Sequence, residues 1–208
     1  MATLLTLSDS RLPTGGHVHS GGVEEAVTGG LVRDLVTLRA FLIRRIRTTG
    51  LVTASVAAAV HTRSLAVTDA ECEIDARTPA PAARQASRAQ GRGLLRLARR
   101  VWPGDHWESW GPAPHLATVA GAVGAASGLE SEQTALTVVY TTMTGSATAA
   151  QRLLALDPGD VAALTFELAP LCDQTSATAC KELADLSDPL LDALAQKHSQ
   201  RERPLFAS

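Results

Sequence analysis

The amino-acid sequence predicts an all-α fold: a single-domain helical bundle of about eight to ten helices, broken by one long Trp/Pro-rich loop. Three observations predict it. Apolar residues recur at spacings of three and four along nearly all of the 208 residues, and clean period-two alternation is hard to find. The apolar fraction is 45% but aromatics are only 3%, so the core must be built mainly from Leu, Val and Ala. Ala and Leu favour helices, and small Ala faces let helices approach closely. No repeat at a fixed period and no domain boundary is visible, so residues 1–208 read as one domain.

The elements follow in order. Val23 and Val27 lie on one side of a short first helix that Gly29 and Gly30 terminate. Asp34 caps the next helix, where Leu35, Leu38, Leu42 and Ile46 form a stripe. Residues 51–66 continue as an Ala-rich, well-buried helix, and residues 68–78, with the acidic run ECEID, form a short exposed one. TPAPAA (78–83) is a linker or helix lead-in, because Pro fixes φ and lacks a donor. Residues 84–101 make a strongly basic helix with Arg84, Arg88, Arg92 and Arg96 each four apart. WPGDHWESWGPAP (102–114) holds all three tryptophans and three prolines and reads as the long loop. Helices resume at about 115–127, 131–156 and 158–172, the last capped by Asp157 with Pro158 in its first turn. A final helix near 188–200 precedes the tail RERPLFAS.

The formal charge of −2 conceals an asymmetry. Residues 1–100 carry 14 basic and 8 acidic groups, net +6, whereas residues 101–208 carry 5 and 13, net −8. Such a division suits electrostatic complementarity, either within the chain or toward charged partners. The three cysteines, Cys72, Cys172 and Cys180, include no CxxC pair, which argues against a disulfide framework and a structural zinc site and fits a reducing compartment. The first residues lack the leading positive charge of a signal peptide, and no apolar run reaches the roughly 18 residues of a membrane helix. The expected location is cytoplasmic, away from membranes.

One stretch, SDSRLPTGGHVHSGGVEE (8–25), concentrates candidate chemistry. Its glycines suit a phosphate cradle, but the lysine of a Walker loop is missing and no strand leads into it. His17 and His19 suggest metal, yet Asp9, Glu24 and Glu25 complete no recognised ligand spacing. A helix entry accounts for the same residues: His19 or Ser20 bonds the free amides and Glu24 sits favourably in the first turn. His61, His106, His115 and His198 are scattered, without HExxH or a GxSxG elbow, although the members of a Ser-His-Asp triad need not be close in sequence. The Arg84–Arg100 helix suits a nucleic-acid backbone, but the net charge and the lack of interleaved aromatics weaken that reading against a solvated face or an acidic protein partner. The tryptophans are either a partner anchor or a plug in an aromatic-poor core.

The order of the motifs adds a resemblance. LSDSRLPTGGHVHSGGVEEAV resembles the N-terminal signature of the UreF family of urease accessory proteins, with Asp9, Ser10, Pro13, Gly15, His19, Ser20, Gly22 and Glu24 on its fixed positions. RQASRAQG resembles the family's R-x-x-S-x-x-x-G and places Arg84, Ser87 and Gly91. HLATVAGAVGAASGL is similar to its H-x-x-x-x-x-G helix, with His115 and Gly121, and ATAAQRLLAL to its helix ending in R-L, with Arg152 and Leu153. PLFAS resembles the family's terminal R-L-F-x-S. The chain departs from the pattern at His17, where an aromatic is usual, at Leu154–Pro158 after the R-L pair, and at Pro204, where arginine is usual beside Arg203.

The resemblance implies an all-α protein that is not an enzyme, with no catalytic, cofactor or resident metal site. It implies partners: a UreD-type (UreH-type) accessory protein, a UreG-type GTPase and apo-urease, in a complex that loads nickel with GTP hydrolysis, and a homodimer within that complex. It assigns partner-binding roles to Asp9, Ser10, Pro13, His19, Ser20, Glu24, Arg84, Ser87 and Arg152, and to Arg203, Leu205 and Phe206 in a docking tail, residues 201–208. Arg152 either completes the GTPase site in trans or positions a loop. The competing readings are a metal-binding hydrolase centred on His17 and His19 and a nucleic-acid-binding regulator.

Overall fold

In the computed structural model, residues 2–206 are described apart from 15, 105, 106, 108, 109 and 186 and the side chain of 17. Gly15 and His106 of the sequence reading lie outside the described residues, as does the His17 side chain. The described residues form ten α-helices and no strand. They are α1 (Ala2–Leu7), α2 (Val23–Thr28), α3 (Leu35–Arg45), α4 (Leu51–His61), α5 (Val67–Arg77), α6 (Pro81–Val101), α7 (Leu116–Ala126), α8 (Ser131–Leu154), α9 (Pro158–Ala179) and α10 (Pro189–His198). Among these residues no helix is long and apolar enough to cross a membrane.

The caps written in the sequence form as expected. Asp34 accepts from Thr37 N at 2.8 Å while the Thr37 hydroxyl reaches back, a reciprocal capping box at the start of α3. Asp157 accepts from Gly159 N at 2.7 Å and Asp160 N at 3.1 Å ahead of Pro158. TPAPAA proves to be a lead-in, with Pro81 opening α6. Three differences have local causes. α1 was not foreseen, because its six residues carry no cap signal. α5 is only partly exposed, since Ala70 and Ile74, four apart, are buried. α9 passes Pro170, as expected, but runs seven residues past the expected end at 172, because Leu168, Cys172, Thr175, Ser176 and Ala179 keep one face buried while Pro170 sits on the exposed side.

α8 is the axis of the bundle, packed against α4, α7 and α9 and touching α2, α3 and the start of the chain. α4 is buried nearly all round, which its apolar, Ala-rich sequence demands. With so few aromatics, density comes from close backbone approach. A Cβ on Gly121 of α7 would collide with the Ala57 carbonyl and the Val60 side chain of α4, and one on Gly91 of α6 would collide with the Pro114 carbonyl. The tryptophans plug the core. Trp107 is buried among Leu94, Leu95, Ala98, Val119 and Val123, its Nε1 donates to the Trp102 carbonyl (2.8 Å), and Trp110 tilts against it at 5.7 Å.

Part of the charge asymmetry is satisfied inside the chain. Arg39, Arg44 and Arg77 of the basic half pair with Glu167 (2.6 Å), Asp188 (2.5 Å) and Asp185 (3.0 Å) of the acidic half. Close packing of α4 on α7 yields a test. Gly121→Val should force these helices apart and cost about 3 kcal/mol of unfolding free energy in urea titrations, whereas a valine on the open, half-exposed Gly145 side of α8 should cost far less.

Candidate partner-binding site

The signature segment is a stiff path from α1 to α2. Arg11 returns onto Asp9 through its guanidinium (2.6 Å) and its own amide (2.8 Å), and this Arg11 contact holds the Asp9 carboxyl down at about 2. Ser10 and Pro13 are exposed at the turn that follows. A short 3₁₀ turn, Gly16–Val18, leads to Ser20, which is fully buried. Ser20 Oγ accepts from Glu24 N (3.4 Å), the helix-entry role read from the sequence, and its carbonyl accepts from Ser146 Oγ of α8 (3.2 Å). Gly21 and Gly22 then adopt φ of +63° and +89°, a left-handed bend that side chains resist.

α2 brings two carboxylates inside. Glu24 and Glu25 are each only 1% exposed, so both need internal partners. The C-terminal segment supplies them. His198 Nε2 donates to Glu24 Oε2 (2.8 Å), and the amides of Leu205 and Phe206 donate to the same carboxylate (2.9 and 3.1 Å). Arg201 Nη1 donates to Glu25 Oε1 (2.6 Å) and to the Thr28 hydroxyl (2.9 Å), and Lys197 approaches Glu25 at 3.5 Å. Burial raises the Glu24 carboxyl, but the Leu205 amide, the His198 ring and the Phe206 amide together outweigh it and bring it below its ordinary value. Glu25 is likewise lowered, because Arg201 and Lys197 outweigh its burial. The tail is thereby fixed by its backbone: Phe206 packs against the main core, Leu205 is 78% exposed, and Arg203 is exposed.

A second network joins α5, α6 and α7. His115, fully buried just ahead of α7, donates from Nε2 to Asp75 Oδ1 (2.9 Å), and its Nδ1 accepts from the Ser87 hydroxyl (3.0 Å). Ser87 Oγ accepts in turn from Leu116 N (3.3 Å). Arg88 spans Glu71 (2.8 Å), Asp75 (2.8 Å) and the Ala113 carbonyl (2.7 Å), while Glu71 also takes the His115 amide (2.8 Å). Arg84 donates to the Thr78 and Pro79 carbonyls and lies 3.7 Å from Asp75. Burial lowers the His115 pKa and outweighs the Asp75 contact, so the ring stays neutral at physiological pH. Ser87, His115 and Asp75 have the order of a hydrolase relay, but the ring is sealed and the Leu116 amide occupies the hydroxyl. Chemically, the network fastens three helices. It also engages Arg84 and Arg88 internally, which halves the four-arginine stripe; Arg92 and Arg96 stay exposed.

Between these networks lies a cavity of about 310 Å³. It brings together Asp9, Ser10, His19, Ser87, Arg152 and Phe206 from distant parts of the sequence. It does not gather Pro13, Ser20, Glu24, Arg84, Arg203 or Leu205. Arg152 is exposed near the end of α8, and among the described residues its side chain has no hydrogen bond or ion pair. Among the described residues no group of three or more His, Cys, Asp or Glu is arranged to hold a metal ion. The sequence reading assigned no individual partner-binding role to Glu71, Asp75, Arg88, His198 or Arg201, although Arg88 stood in its basic stripe and Arg201 in its docking tail. The first three carried a signal: Glu71 and Asp75 are four apart, as are Arg84 and Arg88, so two helical faces of opposite charge were on offer.

The family model for UreF matches residues 32–169. The chain is 74% identical over 208 residues to the urease accessory protein UreF of Mycobacterium sp. (strain JLS), covering 100% of this chain and 99% of that protein. It is 74% identical over 211 residues to the protein of the same name from Mycolicibacterium vanbaalenii, again over 100% and 99%. The Mycobacterium tuberculosis H37Rv protein of that name is 68% identical over 208 residues, with the same coverage.

The clamp on α2 has a pH signature. A carboxylate with a lowered folded pKa contributes stability that is present above its unfolded value, near 4.3, and lost as pH falls through the folded value. The Leu205 and Phe206 amides should therefore stay protected from hydrogen exchange, relative to their intrinsic rates, at pH 6. They should lose protection on acidification below about pH 4, before the amides of α8 do. Retained protection at that pH would separate the tail from Glu24.

Proposed function

The chain belongs to the UreF family, and on that premise we propose that it is a urease accessory protein acting by protein contact: a non-enzymatic, cytoplasmic scaffold that bridges a UreD-type (UreH-type) protein and a UreG-type GTPase while nickel is delivered to apo-urease and GTP hydrolysis is regulated. The observation that carries the reading is the junction of the signature segment and the tail on Glu24. Two sequence ends that the family pattern marks separately become one surface. On it Leu205 and Arg203 face outward, while Phe206 and the backbone amides set the course of the tail. An exposed leucine on a backbone already ordered docks with less entropy loss than one on a mobile tail. This surface suits the UreD-type partner.

The cavity-lining residues Asp9, Ser10 and His19 support a second role for the signature, as a wall of the path along which nickel, the cargo, passes between partners. Arg152 supports contact with the GTPase, because it is exposed and held by no partner among the described residues. Its charge is then available either to the nucleotide phosphates or to a loop of the GTPase. Arg84 and Ser87 serve this surface indirectly, by holding α6 against α5 and α7. Homodimerisation within the complex fits the exposed apolar side chains outside the tail, Val36 and Phe166 among them.

Deletion of residues 201–208 is the direct test. Co-purification with the UreD-type protein should be lost while helical content by circular dichroism stays nearly unchanged. A truncated chain that still binds normally would remove the tail from the interface. Leu205→Ala should weaken the same binding by about tenfold, as expected for an apolar anchor losing its buried area.

A further inference from the structure

We propose that the central cavity binds a small oxyanion of the phosphate or hydrogencarbonate type, gripped by the side-on edge of Arg45. Arg45 closes α3, immediately before a π-helical turn, Ile46–Gly50, that continues into α4. It lines the cavity together with Gly21, Gly22 and Thr49. Its Nη1 donates to the Gly21 carbonyl (2.6 Å), which fixes the plane of the guanidinium. The opposite edge, Nε and Nη2, has no acceptor among the described residues, and Nε is buried. That edge presents two parallel N–H donors, the geometry that pairs with two oxygens of one anion.

The charge is uncompensated as well as the edge. Buried cations are ordinarily paired: Arg77, in the same lining, meets Glu73 and Asp185, and the neighbouring Arg44 meets Asp188, while Arg152, unpaired among the described residues, is exposed. Arg45 meets no carboxylate among the described residues, and burial alone lowers it, to about 10, so it remains cationic at neutral pH. Three carboxylates reach the same cavity, and each is engaged elsewhere: Asp9 by Arg11, Asp188 by Arg44, and Asp192 by the Ala80 amide, which donates to its Oδ1.

The local backbone is shaped around this side chain. A Cβ on Gly21 would collide with the guanidinium, so the glycine lets Arg45 lie flat on the signature segment. The π-helical turn widens the helix where Arg45 and Thr49 face the cavity, a distortion frequent at functional sites. Thr49 adds a hydroxyl with no partner among the described residues, whereas Thr141 and Thr142 on the facing wall donate theirs to their own helix. Arg45 and Thr49 are thus the donors. A cavity of about 310 Å³ admits a hydrated phosphate with room to spare.

The test is isothermal titration of the full chain with inorganic phosphate at constant ionic strength, with chloride as the control anion, and it needs no urease partner, so its outcome is independent of the accessory-protein reading. Saturable one-to-one binding of phosphate that chloride does not reproduce is expected, weakened by about tenfold or more in Arg45→Met. Arg45→Lys, which keeps the charge and loses the two-donor edge, should recover only part of it. A parallel titration with hydrogencarbonate identifies the anion: the tighter of the two is the natural shape, and either supports the site. Binding equal to that of chloride, or unchanged in Arg45→Met, overturns the proposal. Should Arg45→Met fail to fold, Thr49→Val decides: a severalfold loss supports the site and an unchanged affinity overturns it.

Discussion

The structure depends on the burial of one carboxylate. Glu24 sits 1% exposed at the start of α2, where an unpaired charge would be prohibitive. Its contacts come from both ends of the chain: Ser20 Oγ takes its amide, and His198, Leu205, Phe206 and the Arg201 guanidinium meet its side chain. The signature segment, α2, α10 and the tail therefore meet on one carboxylate. Such fully satisfied polar networks specify one arrangement among the several that an Ala-rich bundle could otherwise pack into.

The remainder of the functional surface follows from that junction. Ser20 passes the constraint to α8 through Ser146, and Gly21 passes it to α3 through the Arg45 guanidinium. The cavity is bounded on one side by this path and on the other by α6, which the Ser87–His115–Asp75 network holds against α5 and α7. Residues with no sequence proximity, such as His19, Ser87 and Arg152, share its walls because two polar networks, one at each side, fix the helices that carry them. The apolar core then needs only to fill space, which its small residues and glycine contacts do without many aromatics.

Much of the fold was legible because helices announce themselves locally. The stripe from Leu35 to Ile46, the Asp34 and Asp157 caps and the all-round apolar character of α4 each needed only neighbouring residues to be read. The π-helical turn was not legible, since Ile46 keeps the apolar spacing and the wider turn leaves no mark on it. The course of α9 past residue 172 required knowing which side faced solvent. At the site, the resemblance picked out Glu24 and the tail separately, but their contact spans about 180 residues and no sequence pattern encodes it. The acidic run and the arginine stripe looked like two solvated faces when read singly, and only their common four-residue spacing joined them. The UreF family places these residues in a known kind of protein, and the geometry supplies the reason they occur together.

In the proposed function, Glu24 orients the tail for a UreD-type partner. A double-mutant cycle on the affinity for that partner, using Glu24→Gln and Leu205→Ala, tests it most directly. If Glu24 acts through the tail, the two losses are strongly non-additive, and the double variant binds no more weakly than the worse single one. If the losses simply add, Glu24 and Leu205 contribute independently, and the account of a single surface built on the buried carboxylate is contradicted.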